Sequence, residues 1–314
     1  MPASPTRFVY LGPESTFAEQ ALRTIPEAEA GVCTPARSVP EALDAVRSGQ
    51  ADAALVPVEN SIGGQIGVSL DELASGSPLM IMREVVLLVQ FVLVSRENRP
   101  LDTIGEVAAH PQSSAQCRRW LRTNLGEPAI VDVLSNGAAA AGVAEGRHKV
   151  AICAPIGAVR YGLTVLAKDI ADHPNGMTRF ALVRRPAPPP PPTGDDVTTL
   201  AVSIAHDRVG ALLAVLTELA VRGISLTRIE SRPTGERLGR YMFFLDCDGH
   251  VAEARLGEAL AGLRRVCADV RFLGSYPRAE TEYGERVVPP AGVTDADFAD
   301  AAKWLTRLRS GQPE

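Results

Sequence analysis

The chain has 314 residues, 46% of them apolar and 22% charged, with a net charge of −5; that is enough apolar material for two or three compact lobes and excludes disorder of the whole. Arginines far outnumber lysines but are interspersed with carboxylates, so no basic stripe marks a nucleic-acid partner. Residues 1–7 carry no apolar leader core, no stretch reaches about 18 apolar residues, and the five cysteines (Cys33, Cys117, Cys153, Cys247, Cys267) form no C-x-x-C pair, so the expectation is a cytoplasmic protein with reduced thiols and no membrane span.

From Phe8 to Val183 short apolar runs alternate with helical patterns, the signature of an α/β region with mainly parallel strands. Strands are predicted at Phe8–Leu11, Ala53–Val58, Val85–Val94 (as one or two strands), Val107–Ala109, Ile130–Val133, Val150–Cys153 and Arg179–Val183. Ser38 with Glu41 and Thr103 with Glu106 have capping-box spacing and predict two helix starts, with Gly49 closing the first helix. The pattern begins again at Val107, which predicts two α/β lobes with a cleft between them and a last strand that returns to the first lobe, bringing Thr178 to the cleft. Pro186–Pro192 holds six prolines among seven residues, a semi-rigid spacer rising roughly 3 Å per residue. Beyond it, Leu200–His206, Gly210–Arg222, Ile224–Arg232, Arg240–Cys247, Val251–Cys267 and Val270–Tyr276 read in the order βαββαβ, a ferredoxin-like domain. The expected limits are 1–184 for the two-lobed domain, 185–196 for the linker, 197–277 for the ferredoxin-like domain and 278–314 for the tail. In that tail Phe298, Trp304, Leu305 and Leu308 predict an amphipathic helix.

Polar clusters follow the predicted strands: Gly12-Pro13-Glu14-Ser15-Thr16-Phe17, Glu59-Asn60-Ser61-Ile62-Gly63-Gly64, His110-Pro111-Gln112-Ser113-Ser114-Ala115-Gln116 and Pro155-Ile156-Gly157. Ligands of open α/β sheets bind beyond the carboxyl ends of strands, where loop amides face the crevice. These hydroxyl and amide donors, with Arg179, suit a small anionic ligand, a carboxylate. His110, His148, His173, His206 and His250 stand without partners at metal-ligand spacing, so no metal is expected. No Ser/His/Asp arrangement is spaced for nucleophilic catalysis, and Gly12-Pro13 lacks the G-x-G-x-x-G of a dinucleotide site. A cofactor-free lyase and a ligand sensor both remain open at this point.

Tyr10-Leu11-Gly12-Pro13, Val56-Pro57-Val58-Glu59-Asn60-Ser61, His110-Pro111 with Gln116-Cys117, Thr178-Arg179-Phe180 and Ile229-Glu230-Ser231-Arg232-Pro233 resemble, in order, the motifs of prephenate dehydratases that carry a C-terminal ACT domain. The resemblance spans about Phe8 to Tyr276. It implies a two-lobed catalytic domain like the type II periplasmic-binding proteins and a ferredoxin-like ACT domain. It also implies decarboxylating dehydration of prephenate to phenylpyruvate in phenylalanine biosynthesis, without a cofactor. The family's catalytic threonine falls on Thr178, its asparagine on Asn60 and its glutamine on Gln116. Substrate contacts are expected from Arg179, Phe180, Ser15, Thr16, Ser61 and Ser113.

Gly210-Ala211-Leu212 and Glu230-Ser231-Arg232-Pro233 correspond to the family's phenylalanine-binding motifs, formed where two ACT domains meet, so feedback by phenylalanine and a homotetramer built as a dimer of dimers are implied. The chain departs from the family at Ser15, where glycine is usual, and at Ala109, where some members have serine. A noncatalytic sensor of aromatic amino acids and an arogenate dehydratase are the alternatives.

Overall fold

The computed structural model describes residues 5–204, 209–234, 241–279 and 288–312; His206 and Arg240, expected at strand ends, lie outside them. The chain forms two compact units, Met1–Glu72 with Val85–Arg185, and Leu73–Glu84 with Pro186–Glu314.

The chain opens with β1 (Arg7–Leu11), α1 (Phe17–Leu22), α2 (Pro26–Glu29), β2 (Val32–Ala36), α3 (Val39–Arg47), β3 (Ala53–Asn60), β4 (Gly64–Gln65), α4 (Gly67–Ala74) and β5 (Met80–Leu88). A second run follows: β6 (Val92–Ser95), β7 (Glu106–Ala109), α5 (Pro111–Gln116), α6 (Arg118–Leu125), β8 (Ala129–Asp132), α7 (Asn136–Ala144), β9 (Val150–Cys153), α8 (Pro155–Arg160) and β10 (Thr164–Ala167). Then β11 (Met177–Arg184) returns to the first sheet, whose order is β2-β1-β3-β11-β5 with β4 beside β3; the second sheet runs β10-β6-β9-β7-β8. The two lobes and the returning strand are therefore as expected.

The strands are not mainly parallel. β1 pairs in parallel with β2 and β3, and β7 with β8 and β9, but β11 runs antiparallel to β3, and β6 antiparallel to β9 and β10. The return strand enters from the other lobe and so meets β3 head to tail. The second sheet is buried on both faces, with Leu93, Val107 and Ile152 in one core and Val94, Ala108 and Ala151 in the other, which is why its strands read as continuous apolar runs. In the first lobe Phe8, Tyr10, Leu22, Ile25 and Leu55 form the core.

Caps set the helix starts. Ser38 Oγ accepts the N–H of Glu41 (3.3 Å), Ser135 Oγ that of Ala138 (3.0 Å), and Pro111 and Pro155 stand in first turns, where a missing N–H costs nothing. The second expected helix start fails. Thr103 ends a single 3-10 turn (Leu101–Thr103), its hydroxyl donating back to the carbonyl of Pro100, and Glu106 opens β7.

In the second unit β12 (Asp196–Ser203), α9 (Ala211–Ala220), β13 (Leu226–Pro233), β14 (Tyr241–Asp248), α10 (Ala254–Val266) and β15 (Asp269–Pro277) form the expected βαββαβ fold, with sheet order β13-β14-β12-β15, all antiparallel. Leu200, Val202, Leu245 and Cys247 pack against Val215, Leu219, Leu256 and Leu263 of the two helices. α11 (Asp295–Arg309) begins with a capping box between Thr294 and Asp297 and packs against α10, leaving Trp304, Leu305 and Leu308 about 40% exposed. Among the described residues no helix is long and apolar enough to cross a membrane.

Candidate functional site

A cavity of about 550 Å³ opens at the strand ends of the two lobes, large enough for a small-molecule ligand. Its first-lobe lining comes from Gly12, Thr16, Arg37, Pro57, Asn60 and Gly63, its second-lobe lining from His110, Gln112, Ser113, Gln116, Ser135 and Asn136, and β11 adds Thr178 and Phe180. Phe17 and Phe91, also in the lining, meet edge to face at 5.3 Å between centroids.

At the centre of this wall, sheet register sets Thr178 directly opposite Asn60. Both are 8% exposed. Asn60 Oδ1 accepts the N–H groups of Ile62 (3.0 Å) and Gly63 (2.7 Å), which fixes the amide's orientation, and Nδ2 consequently donates to Thr178 Oγ1 (2.9 Å). The Thr178 hydroxyl is used here as an acceptor, and among the described residues no acceptor takes its own proton. A register shift between Arg179 and Phe180 explains the neighbouring geometry: Arg179 pairs with Glu59 and Phe180 with Pro57. The extra residue in β3 lets Pro57 and Asn60, an odd number of residues apart, both line the cavity.

The remaining expected site residues divide. Gln116, 8% exposed, and Ser113, 2% exposed, line the cavity, and Ser113 Oγ donates to Asn136 Oδ1 (2.6 Å). Thr16 lines it while capping α1, its hydroxyl donating to the Leu11 carbonyl (3.1 Å). Phe180 contributes an apolar wall. Ser61 is exposed and spends both its N–H and its Oγ on the backbone of Met177 (2.9 Å each), so it braces the Thr178 strand without joining the lining.

Arg179 and Ser15 are placed elsewhere. Arg179 follows Thr178 on the strand, so its side chain points to the opposite face, where Nη2 meets Glu59 at 2.8 Å; it is absent from the lining. Ser15 is fully buried at φ 65°, its N–H donating to Glu19 Oε2 (2.7 Å). Positive φ is the physical reason a glycine suits that position. Gly157 likewise packs inward against Ala140 and Cys153, away from the cavity lining.

Arg37, Ser135 and Asn136 are lining residues absent from the expected set. Ser135-Asn136 follows β8 as the other clusters follow their strands, a signal open to the same reading. Arg37 follows β2, a strand hidden by Pro35. Among the described lining residues there is no Asp or Glu, and Arg37 brings a guanidinium to the rim, largely exposed and paired with Glu41 (3.1 Å), so the polar lining consists mainly of hydroxyl, amide and backbone groups. Thiol chemistry is suppressed close by: burial pushes both Cys117 and Cys153 up to about 12, far from a thiolate at neutral pH. Among the described residues no three metal-binding side chains gather.

In the second unit Gly210 (φ 82°) precedes α9, whose first two residues are Ala211 and Leu212. Glu230, Ser231, Arg232 and Pro233 lie on the edge strand β13. Exposed Val209, Leu213, Val221 and Ile229 belong to the same two segments and their flanks.

The sequence model of prephenate dehydratase matches residues 8–188, and that of the ACT domain matches residues 198–264. A prephenate dehydratase of Mycobacterium sp. (strain KMS) is 47% identical over 317 residues, covering 98% of this chain and 97% of the relative. The crystal structure of a prephenate dehydratase from Arthrobacter aurescens in complex with L-Phe superposes with a TM-score of 0.90 at 42% identity, covering 96% of this chain and 99% of that one. A structure described as a quorum-quenching acylase superposes at 0.76 with 28% identity, covering 87% of this chain and 98% of that one.

Proposed function

The chain belongs to the prephenate dehydratase family and carries an ACT domain, and from that premise we propose that it converts prephenate to phenylpyruvate and is regulated by phenylalanine. The ring carboxylate leaves as carbon dioxide, the electron pair of its C–C bond enters the ring, and the opposite C–O bond breaks. The departing hydroxide takes up one proton and leaves as water. Aromaticity drives the step, and the protein's task is to hold the dianion and stabilise charge on the leaving oxygen.

The observation that carries this reading is the Asn60–Thr178 hydrogen bond, which leaves the Thr178 proton free to meet the departing hydroxyl. A threonine hydroxyl is a poor acid, so fixed donors around developing charge contribute much of the acceleration. In this reading Gln116 shares that role, Ser113 holds Asn136 through its hydroxyl (2.6 Å), and Thr16 and Phe180 shape the site. Among the described lining residues Arg37, paired with Glu41, carries the guanidinium that can turn to a carboxylate, whereas Arg179 supports the wall through Glu59. The described lining residues include no carboxylate to meet the ammonium of arogenate, which favours prephenate. Thr178→Val is expected to fold and to lose roughly 10²- to 10⁴-fold in turnover; near-normal turnover by a folded variant removes Thr178 from this role.

Phenylalanine is assigned to Gly210, Ala211, Leu212, Glu230, Ser231, Arg232 and Pro233. The open edge of β13 and the exposed Ile229, Val209 and Leu213 support pairing of two such domains in a homo-oligomer, as a dimer of dimers. Light scattering on the purified chain tests the assembly. The domain limits 1–184, 185–196, 197–277 and 278–314 and a cytoplasmic location complete the proposal.

A further inference from the structure

His110 holds its ring in a defined hydrogen bond, and the proposed catalytic groups make no use of it. It is the N-cap of α5, with φ −67° and ψ 140°, and its ring Nδ1 accepts the backbone N–H of Gln112 (3.3 Å). A neutral imidazole that accepts through Nδ1 carries its proton on Nε2. The backbone is held as well, because its carbonyl accepts from Ser113 (2.8 Å) and Ser114 (3.0 Å), and Pro111 follows in the helix's first turn. The ring therefore cannot turn without losing its cap, and it lines the cavity half-buried. Among the described lining residues it is the sole imidazole, and Arg37 is the sole residue with a guanidinium or ammonium group. Arg37 sits in the loop after β2 of the first lobe, His110 in the loop after β7 of the second, and the substrate of the proposed reaction has two carboxylates.

We propose that His110 is a substrate-binding residue whose Nε2–H donates to a carboxylate of the substrate from the second lobe, with its cap on Gln112 serving to aim that donor. The inference rests on the proposed dehydratase reaction. A cap alone needs only Nδ1, so two variants separate the roles. In His110→Asn the side-chain oxygen takes over the cap on Gln112 but nothing reaches as far as Nε2. In His110→Gln the amide nitrogen stands near the Nε2 position, while the cap is weakened.

The test is steady-state kinetics with prephenate, and thermal melting, for wild type and both variants. The expected result is an Asn variant that melts with wild type but has KM raised about 10- to 100-fold, the scale of one lost hydrogen bond to a charged group, and a Gln variant that melts lower but keeps KM within a few-fold. An Asn variant with wild-type KM overturns the proposal and leaves His110 as a helix cap. Equal KM losses in both variants overturn it too, because rescue by the Gln donor is then missing. Wild-type protein that fails to turn over prephenate overturns the reaction itself, and this inference with it.

Discussion

Asn60 decides which way the Thr178 proton points. Its oxygen is occupied by Ile62 and Gly63, so its nitrogen faces Thr178 Oγ1, and exchange of that nitrogen for oxygen reverses the bond. In Asn60→Asp the Thr178 hydroxyl turns to donate to the new carboxylate, and a negative charge enters the site of the proposed dianion. Turnover is expected to fall at least about 100-fold with little change in melting temperature; kinetics and melting of one preparation check both halves, and unimpaired turnover contradicts the hydrogen-bond direction. That Asn60 and Gln116 line the cavity was legible because each stands in a polar cluster after an apolar run, and Thr178 because its strand was expected to return to the cleft, whereas their catalytic roles rest on the family resemblance. Arg179 shows the limit of that pattern. Its charge drew it toward the ligand in the sequence reading, but a residue beside Thr178 on a strand faces the other way, and only the partner Glu59 shows what it does there.

At the scale of elements, the loops and helices beside the cavity are fastened to one another by groups far apart in sequence. Glu19 of α1, almost without exposure, accepts from the N–H of Ser15 (2.7 Å), from Arg23 (2.8 and 2.9 Å) and from Arg160 at the end of α8. Burial pushes this carboxyl up, but the Ser15 N–H and the two guanidiniums outweigh it and hold its pKa below the ordinary value. A carboxyl depressed in the folded state adds stability that is complete above its unfolded value of about 4.3 and is lost as pH falls through the lower folded value. Melting temperatures of wild type and Glu19→Gln are therefore expected to differ most above about pH 5 and to converge in acid; a gap independent of pH contradicts this. Gly137 of α7 reports a close approach of another kind. A Cβ there would lie 2.1 Å from the carbonyl oxygen of Glu14, a backbone atom that cannot step aside. Gly137→Ala is expected to cost about 1–3 kcal/mol and to raise KM, because Ser135 and Asn136 line the cavity beside it; an unchanged melting curve counts against that packing. β2 escaped the sequence reading because Pro35 interrupts its short apolar pattern, although proline is tolerated in an edge strand, and Arg37 was lost with it. Thr103 and Glu106 had the right spacing for a helix cap, but the chain beyond them joins the ladder of β7, a tertiary choice that local spacing does not encode.

For the molecule as a whole, the proline-rich seam was legible from composition, and the compact units do divide at Arg185 and Pro186. The grouping of Leu73–Glu84 with the second unit was not. There Arg271 of β15 donates to the carbonyls of Ala74 (2.9 Å), Ser75 (3.1 Å) and Gly76 (3.0 Å), and Gly274 comes so close to Ile81 that a Cβ would lie 2.2 Å from its carbonyl oxygen. These contacts join residues some two hundred positions apart, beyond the reach of periodicity or turn signals. If phenylalanine favours one global state, its binding energy must differ between states, and couplings of about 1–3 kcal/mol correspond to roughly 5- to 150-fold changes in affinity. The most direct test is phenylpyruvate formation from prephenate by the purified chain, with and without phenylalanine and with no added metal or cofactor. Turnover that phenylalanine suppresses is the predicted result, and a folded protein that forms no phenylpyruvate contradicts the account at its centre.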